Sequence, residues 1–230
     1  MSGIVGSRLN NRGSGLIGSL GTDGQVLTSS GAGVGAVYEA AAAGGDLSFG
    51  GDTFGADKTI GSNDTYALSF ETDGNEAMKI DTVGIITKPL QPCVLVHPSN
   101  DDQNPAISPG SWWTVVFDTE RFDQNGDFSS NTFTAPVTGK YLINFSIALY
   151  GPTTTGNYIQ IKPTTSNRDY YFTIDPDGWD SAPAYWCVSS GIIADMDVSD
   201  TMTLDFYEHG SHGATTVIGW VSWMSISLLC

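Results

Sequence analysis

Few residue groupings in this chain could do chemistry, and their spacing limits what that chemistry is. Gly13-Ser14-Gly15-Leu16-Ile17-Gly18 has the G-x-G-x-x-G spacing of a dinucleotide-binding turn. Glu39 stands about twenty positions further on, where such a site holds a ribose. That chemistry needs a buried strand before the turn and a helix opening at its third glycine. Here "SRLNNR" precedes the turn and the glycine-broken "SLGTDGQVLTSSGAG" follows, so the spacing is a coincidence. A phosphate loop is excluded as well, because there is no Gly-Lys-Ser/Thr and the first lysine is Lys58.

Two other groupings bear on metal chemistry. "EHGSHG" sets His209 and His212 three apart beside Glu208 in a glycine-bounded turn, which makes the histidine pair a candidate for ligating a metal. A plain exposed loop competes with that reading. "DPDGWD" gathers Asp175, Asp177 and Asp180 around Gly178, hard oxygens suited to calcium. The rest of a helix-loop-helix calcium motif is missing, so a tight turn carrying an exposed Trp179 is expected instead. Cys93, Cys187 and Cys230 share no metal-type spacing, and an odd count without a leader reads as free thiols. Cys187, in an apolar strand pattern, reads as a core thiol. No Gly-x-Ser-x-Gly elbow leads a strand into a helix, and nothing singles out a catalytic pair among the carboxylates. Neither a catalytic residue nor a resident cofactor is expected; a divalent cation in the C-terminal domain stays open.

The elements that must position these residues follow from composition. The 230 residues carry a formal charge of −16, with fifteen acidic against four basic side chains in residues 91–230. That balance opposes binding to nucleic-acid phosphates. The N-terminus lacks a charged region followed by an apolar run. The most apolar stretch, "VIGWVSWMSISLL", is thirteen residues long and holds three serines, so no membrane insertion is expected. Residues 1–44 are rich in Gly and Ser but studded with apolar pegs. They read as an extended arm that orders on a partner, with Arg8, Leu9, Arg12, Leu16, Ile17 and Leu20 as its contacts. Residues 45–90 alternate short strand-like runs with "GGD", "GSND" and "TDGN" turns, the pattern of a β-rich shaft ending at "KPLQP". Residues 91–230 hold all six tryptophans and nine or ten strand candidates. That indicates an all-β, two-sheet jelly roll.

The segment "FDTERFDQNGDFSSNTFTAPVTGKYLINFSI" resembles the signature region of complement C1q-like domains, relatives of the tumour necrosis factor jelly roll. The correspondence runs through Phe117, Asp123, Phe128, Phe133, Gly139, Tyr141 and Phe145. It departs from the pattern in a shorter gap between Phe128 and Phe133, in Ile143 where an aromatic is usual, and in Ser199 where glycine is usual. "SSGIIADMDVSDTMTLDF" and "TVIGWVS" resemble later strands of the same domain. The resemblance implies a homotrimer of jelly rolls. It does not imply one ligand.

"GSRLNNRGSGLIGSLGTDGQVLTSSGAG" and "GSNDTYALSFETDGNEAMKIDTVGII" are similar to the attachment arms and shaft repeats of phage fibre proteins. The order arm, shaft, knob implies a structural virion protein assembled in the host cytoplasm. As a tail fibre, it would dock its arm on a tail or adaptor protein and present its trimeric knob to a host surface glycan or protein. A head fibre or capsid-decorating protein is the main alternative; a surface polysaccharide depolymerase and a soluble lectin are the others. In such a jelly roll the first and last strands are neighbours. The loops Ser99–Pro109 and Glu208–Ala214 then lie at the end remote from the shaft. Asp101, Asp102, Glu208, His209 and His212 are the receptor-binding candidates there.

Overall fold

The structure is a computed structural model that describes residues 25–29, 36–40, 55–57, 59–99, 110–210 and 215–230. In chain order its strands are β1 (Gln25–Ser29), β2 (Ala36–Ala40), β3 (Leu68–Thr72), β4 (Asn75–Ile80), β5 (Ile86–Thr87) and β6 (Cys93–His97). They continue as β7 (Trp112–Thr114), β8 (Thr119–Asp123), β9 (Phe128–Ser129), β10 (Thr132–Thr134), β11 (Gly139–Tyr150) and β12 (Gly156–Thr165). The last five are β13 (Phe172–Ile174), β14 (Tyr185–Met196), β15 (Thr201–Gly210), β16 (Thr216–Val217) and β17 (Trp223–Leu228). The chain divides into two units, residues 1–60 and residues 61–230.

In the first unit β1 and β2 form an antiparallel hairpin, Val26 opposite Glu39. The stretch expected to be extended through residue 44 therefore contains paired strands. The first described element after the glycine-rich sequence is a strand, and Glu39 is committed to that hairpin, which removes the context a dinucleotide site requires. The anchor residues Arg8, Leu9, Arg12, Leu16, Ile17 and Leu20 lie outside the described residues.

In the second unit β3, β4 and β5 make a small antiparallel sheet. Its turns are closed by local acceptors: Asp81 Oδ1 takes the N–H groups of Val83 (2.9 Å) and Ile85 (2.8 Å). Those bonds hold its carboxyl below the ordinary value. From Cys93 onward the strands form two sheets, ordered β14-β11-β17-β6-β8 and β13-β12-β15-β10-β9. Two short strands add to them: β16 pairs with β11, and β7 pairs with β15. The first and last long strands, β6 and β17, are antiparallel neighbours with Ser227 opposite Cys93 and Met224 opposite Val96. The domain therefore receives its chain and releases it at the same end, as the jelly-roll reading requires.

Alternation along each strand builds the core. Tyr141, Ile143, Phe145, Ile147 and Leu149 of β11 are fully buried, facing Ile159, Ile161, Leu204 and Phe206 of the other sheet. Phe117, Phe128 and Phe133 join the same cluster, so the apolar members of the C1q-like signature are core residues. The Tyr141 phenol donates to Val137 O at 2.7 Å, satisfying its polar tip, and burial raises its pKa. Gly139 sits at the start of β11, beside the chain end that follows β17. A Cβ there would collide with the Leu228 side chain and Cys230 O, so only glycine fits.

Two of the departures, the short gap and Ser199, have a backbone basis. β9 and β10 are joined by a two-residue turn in which Ser130 and Asn131 have φ of 51° and 65°. Two positive φ values make the tight turn that matches strand twist, which accounts for the short gap between Phe128 and Phe133. Asn131 Oδ1 also accepts the Phe117 N–H at 2.8 Å, tying the turn to the connection between β7 and β8. Ser199 has φ of 73°, a left-handed conformation that glycine adopts without steric cost.

Candidate functional site

The two sheets turn outward faces of different chemistry. On the β14-β11-β17-β6-β8 sheet, residues alternating with the core bring Leu95, Leu142, Ile193, Tyr150, Tyr185 and Trp223 to the surface. Ile193 lies directly opposite Leu142 in the β11–β14 pairing and is 59% exposed. Gly191 leaves room for the Asn144 side chain, which a Cβ would strike. At one edge, Leu95, His97, Arg121, Phe122, Trp220 and Trp223 line an open groove of about 490 Å³. Cys187 belongs to this outward face, bonded to Ser146 Oγ at 3.1 Å, and not to the core. An apolar run hides which side of a strand a residue takes; pairing of Cys187 with Ala148 settles it here.

The outward face of the β13-β12-β15-β7 region is aromatic and polar. β15 contributes Asp205, Tyr207 and His209; β12 contributes Tyr158, Gln160 and Lys162; β7 contributes Trp112 and Thr114. Tyr171 precedes β13. Their rings form a continuous series: Tyr171 to Trp112 at 5.9 Å, Trp112 to Tyr207 at 4.9 Å, Tyr207 to Tyr158 at 6.0 Å and Tyr158 to His209 at 4.8 Å. Trp112 is 40% exposed and Tyr171 is 55% exposed.

Beneath this series lies an ionic cluster. Lys162 Nζ is 3.1 Å from Asp169 Oδ2, 4.0 Å from Asp205 Oδ2 and 4.2 Å from the centre of the Trp112 ring. Asp205 also accepts the hydroxyls of Thr114 (2.8 Å) and Thr164 (2.6 Å). The one lysine of this face is thus neutralised by two carboxylates and covered by an indole. Tyr171 donates to Asp169 Oδ2 at 3.0 Å, and that bond, with burial, raises its phenol pKa. Burial and the neighbouring Tyr158 raise that of Tyr207. Both phenols stay protonated donors at neutral pH.

The residues singled out in the sequence fall variously. Glu208 is 3% exposed on β15, and His209 lies parallel to Tyr158 at an interplanar angle of 8°. Asp101, Asp102 and His212 lie outside the described residues. Gly110 N–H donates to Glu208 O at 2.9 Å, which joins the residue after the Ser99–Pro109 segment to the start of the Glu208–Ala214 segment. Among the described residues no cluster of three or more His, Cys, Asp or Glu side chains could hold a metal ion. "DPDGWD" folds as a short 3-10 turn in which Asp175 Oδ1 accepts the Asp177 N–H at 3.0 Å. Trp179 is half-buried, 4.6 Å from Trp186, and is not the exposed residue expected. The aromatic series escaped the sequence because its members come from four separate segments. Its only local trace is the alternation in "LDFYEHG" and "NYIQIK".

No protein-family model and no curated protein matches the chain. Among solved structures, it is similar to the globular domain of zebrafish complement 1qA protein at 17% identity and a TM-score of 0.43, over 60% of this chain and 98% of that one. It is also similar to murine APRIL at 12% identity and a TM-score of 0.41, over 60% of this chain and 99% of that one. The strand order itself makes the domain an all-β jelly roll with its first and last strands paired.

Proposed function

We propose that this chain is a structural virion protein, a non-enzymatic phage tail fibre. Its N-terminal segment anchors to a tail or adaptor protein, and its C-terminal jelly roll forms a homotrimeric knob that binds the host cell surface. The observation that carries the reading is the apolar outward face of the β14-β11-β17-β6-β8 sheet. A single chain leaves Ile193, Tyr185 and Trp220 at 59%, 67% and 69% exposure there. A patch of that kind is suited to association with copies of itself. The ordering of a glycine-rich leader, a small three-stranded sheet and a knob whose ends lie together supports a fibre built from parallel copies.

Gold-labelled antibody against the knob tests the location. Label on tails supports the proposal, and label confined to capsids replaces it with a head fibre or decorating protein. Deleting residues 1–24, which spares the β1–β2 hairpin, should abolish incorporation into particles while the purified knob keeps its oligomeric mass. Wild-type incorporation of the truncated chain would overturn the anchoring role.

A further inference from the structure

We propose that the aromatic face of the β13-β12-β15-β7 region is a binding site for a neutral glycan chain. The inference rests on the reading of the knob as a host-surface binder and identifies where on it, and to what, it binds.

Three observations converge on that ligand. The first is the composition of the face. Its outward residues are Trp112, Tyr158, Tyr171, Tyr207 and His209 among Thr, Gln, Lys and Asp, and none of those described is aliphatic. The aliphatic side chains are on the opposite sheet, where self-association uses them. Rings with polar tips suit a wet ligand that offers C–H faces and hydroxyls in alternation, as sugar rings do.

The second is extent. Ring centres follow one another at 4.8–6.0 Å through five side chains, so the series accommodates a chain of sugars rather than one. At one end of the series Trp112 and Tyr171 meet at an interplanar angle of 65° and stay 40% and 55% exposed. They give a bound sugar an open ring surface.

The third is charge. Lys162, the single cation of this face, is closed by Asp169 and Asp205, so the face holds no uncompensated positive charge. A sulfated or sialylated chain would bring anions against carboxylates on a protein of charge −16. A neutral sugar meets no such repulsion, and its hydroxyls can donate to Asp169 and accept from the Tyr158 and Tyr207 phenols.

The test uses the full-length protein and immobilised neutral oligosaccharides of glucose, mannose and galactose, with heparin and polysialic acid as anionic probes. Binding to at least one neutral chain is expected. Trp112→Ala and Tyr171→Ala should each weaken it tenfold or more, and Tyr66→Ala, outside the jelly roll, should leave it unchanged. A thermal melt of each variant separates loss of binding from loss of fold; the 55%-exposed Tyr171 is the safer probe. Binding of anionic probes alone, of no probe, or of a neutral chain equally by all variants overturns the site. Competition by the purified protein against adsorption of particles to cells separates the two ideas. Competition without neutral-glycan binding leaves the host-binding reading intact and removes this site. Particles that adsorb normally without the chain would remove the host-binding reading itself.

Discussion

Left-handed backbone at Ser199 and an ionised carboxylate at Asp127 are two places where single residues work against the fold. Ser199 turns β14 into β15 with φ of 73°, and its N–H is satisfied by Ala135 O at 2.8 Å. The steric cost of the Cβ in this conformation exceeds the extra freedom that glycine gives the unfolded chain, so Ser199→Gly should stabilise the knob by about 0.5–1 kcal/mol, read as a raised Tm. Asp127 is held above the ordinary carboxylate value, first by burial and then by the nearby Asp123 charge. The folded state binds this proton more tightly than the unfolded chain does. Stability therefore falls as pH rises from the ordinary carboxylate range through the raised pKa. Asp127→Asn should raise Tm at neutral pH, and the gain should vanish in acid. An equal gain at both pH values would sink the argument. Ser199 stood out in the sequence as a departure from a glycine position. Asp127 did not, because nothing local announces that Asp123 turns its carboxylate toward the N–H groups of Gly126, Asp127 and Phe128.

At the scale of elements, the β9–β10 turn decides how the start of the signature is held. Asn131 combines a φ of 65° with a side-chain acceptor for Phe117 N–H. Asn131→Ala loses both a residue tolerant of that φ and the acceptor for a partly buried donor. A cost of about 2 kcal/mol is expected, measured by urea denaturation with an unchanged m-value. The strands on either side were legible because Phe128, Phe133, Tyr141, Ile143 and Phe145 alternate with polar neighbours. Cys187 and Trp179 were misplaced because their segments alternate weakly. Pairing with β11 and contact with Trp186, both remote in sequence, decide which way they face.

For the whole molecule, the chemical contrast between two outward faces is the consequential feature. One is aliphatic and aromatic around Leu142 and Ile193; the other is aromatic and polar around Trp112 and Tyr207. Leu142→Glu combined with Ile193→Glu places charge in the first face without touching the core. Sedimentation should then show a folded monomer in place of a trimer, with neutral-glycan binding per chain retained but avidity reduced. A double variant that remains trimeric would remove that face from the assembly.

Composition and alternation by themselves determined an all-β chain and the core residues of the signature. A two-residue period is a local property that survives without knowing any partner strand. The metal and receptor candidates came from local clusters, and tertiary structure treated them unequally: Glu208 went inward, while His209 became one ring in a series. That series, the neutralised lysine beneath it and the separation of two unlike faces were decided only when β7, β12, β13 and β15 came side by side. Surface chemistry on a sheet depends on which strands are neighbours, and neighbours far apart in sequence leave no local signal.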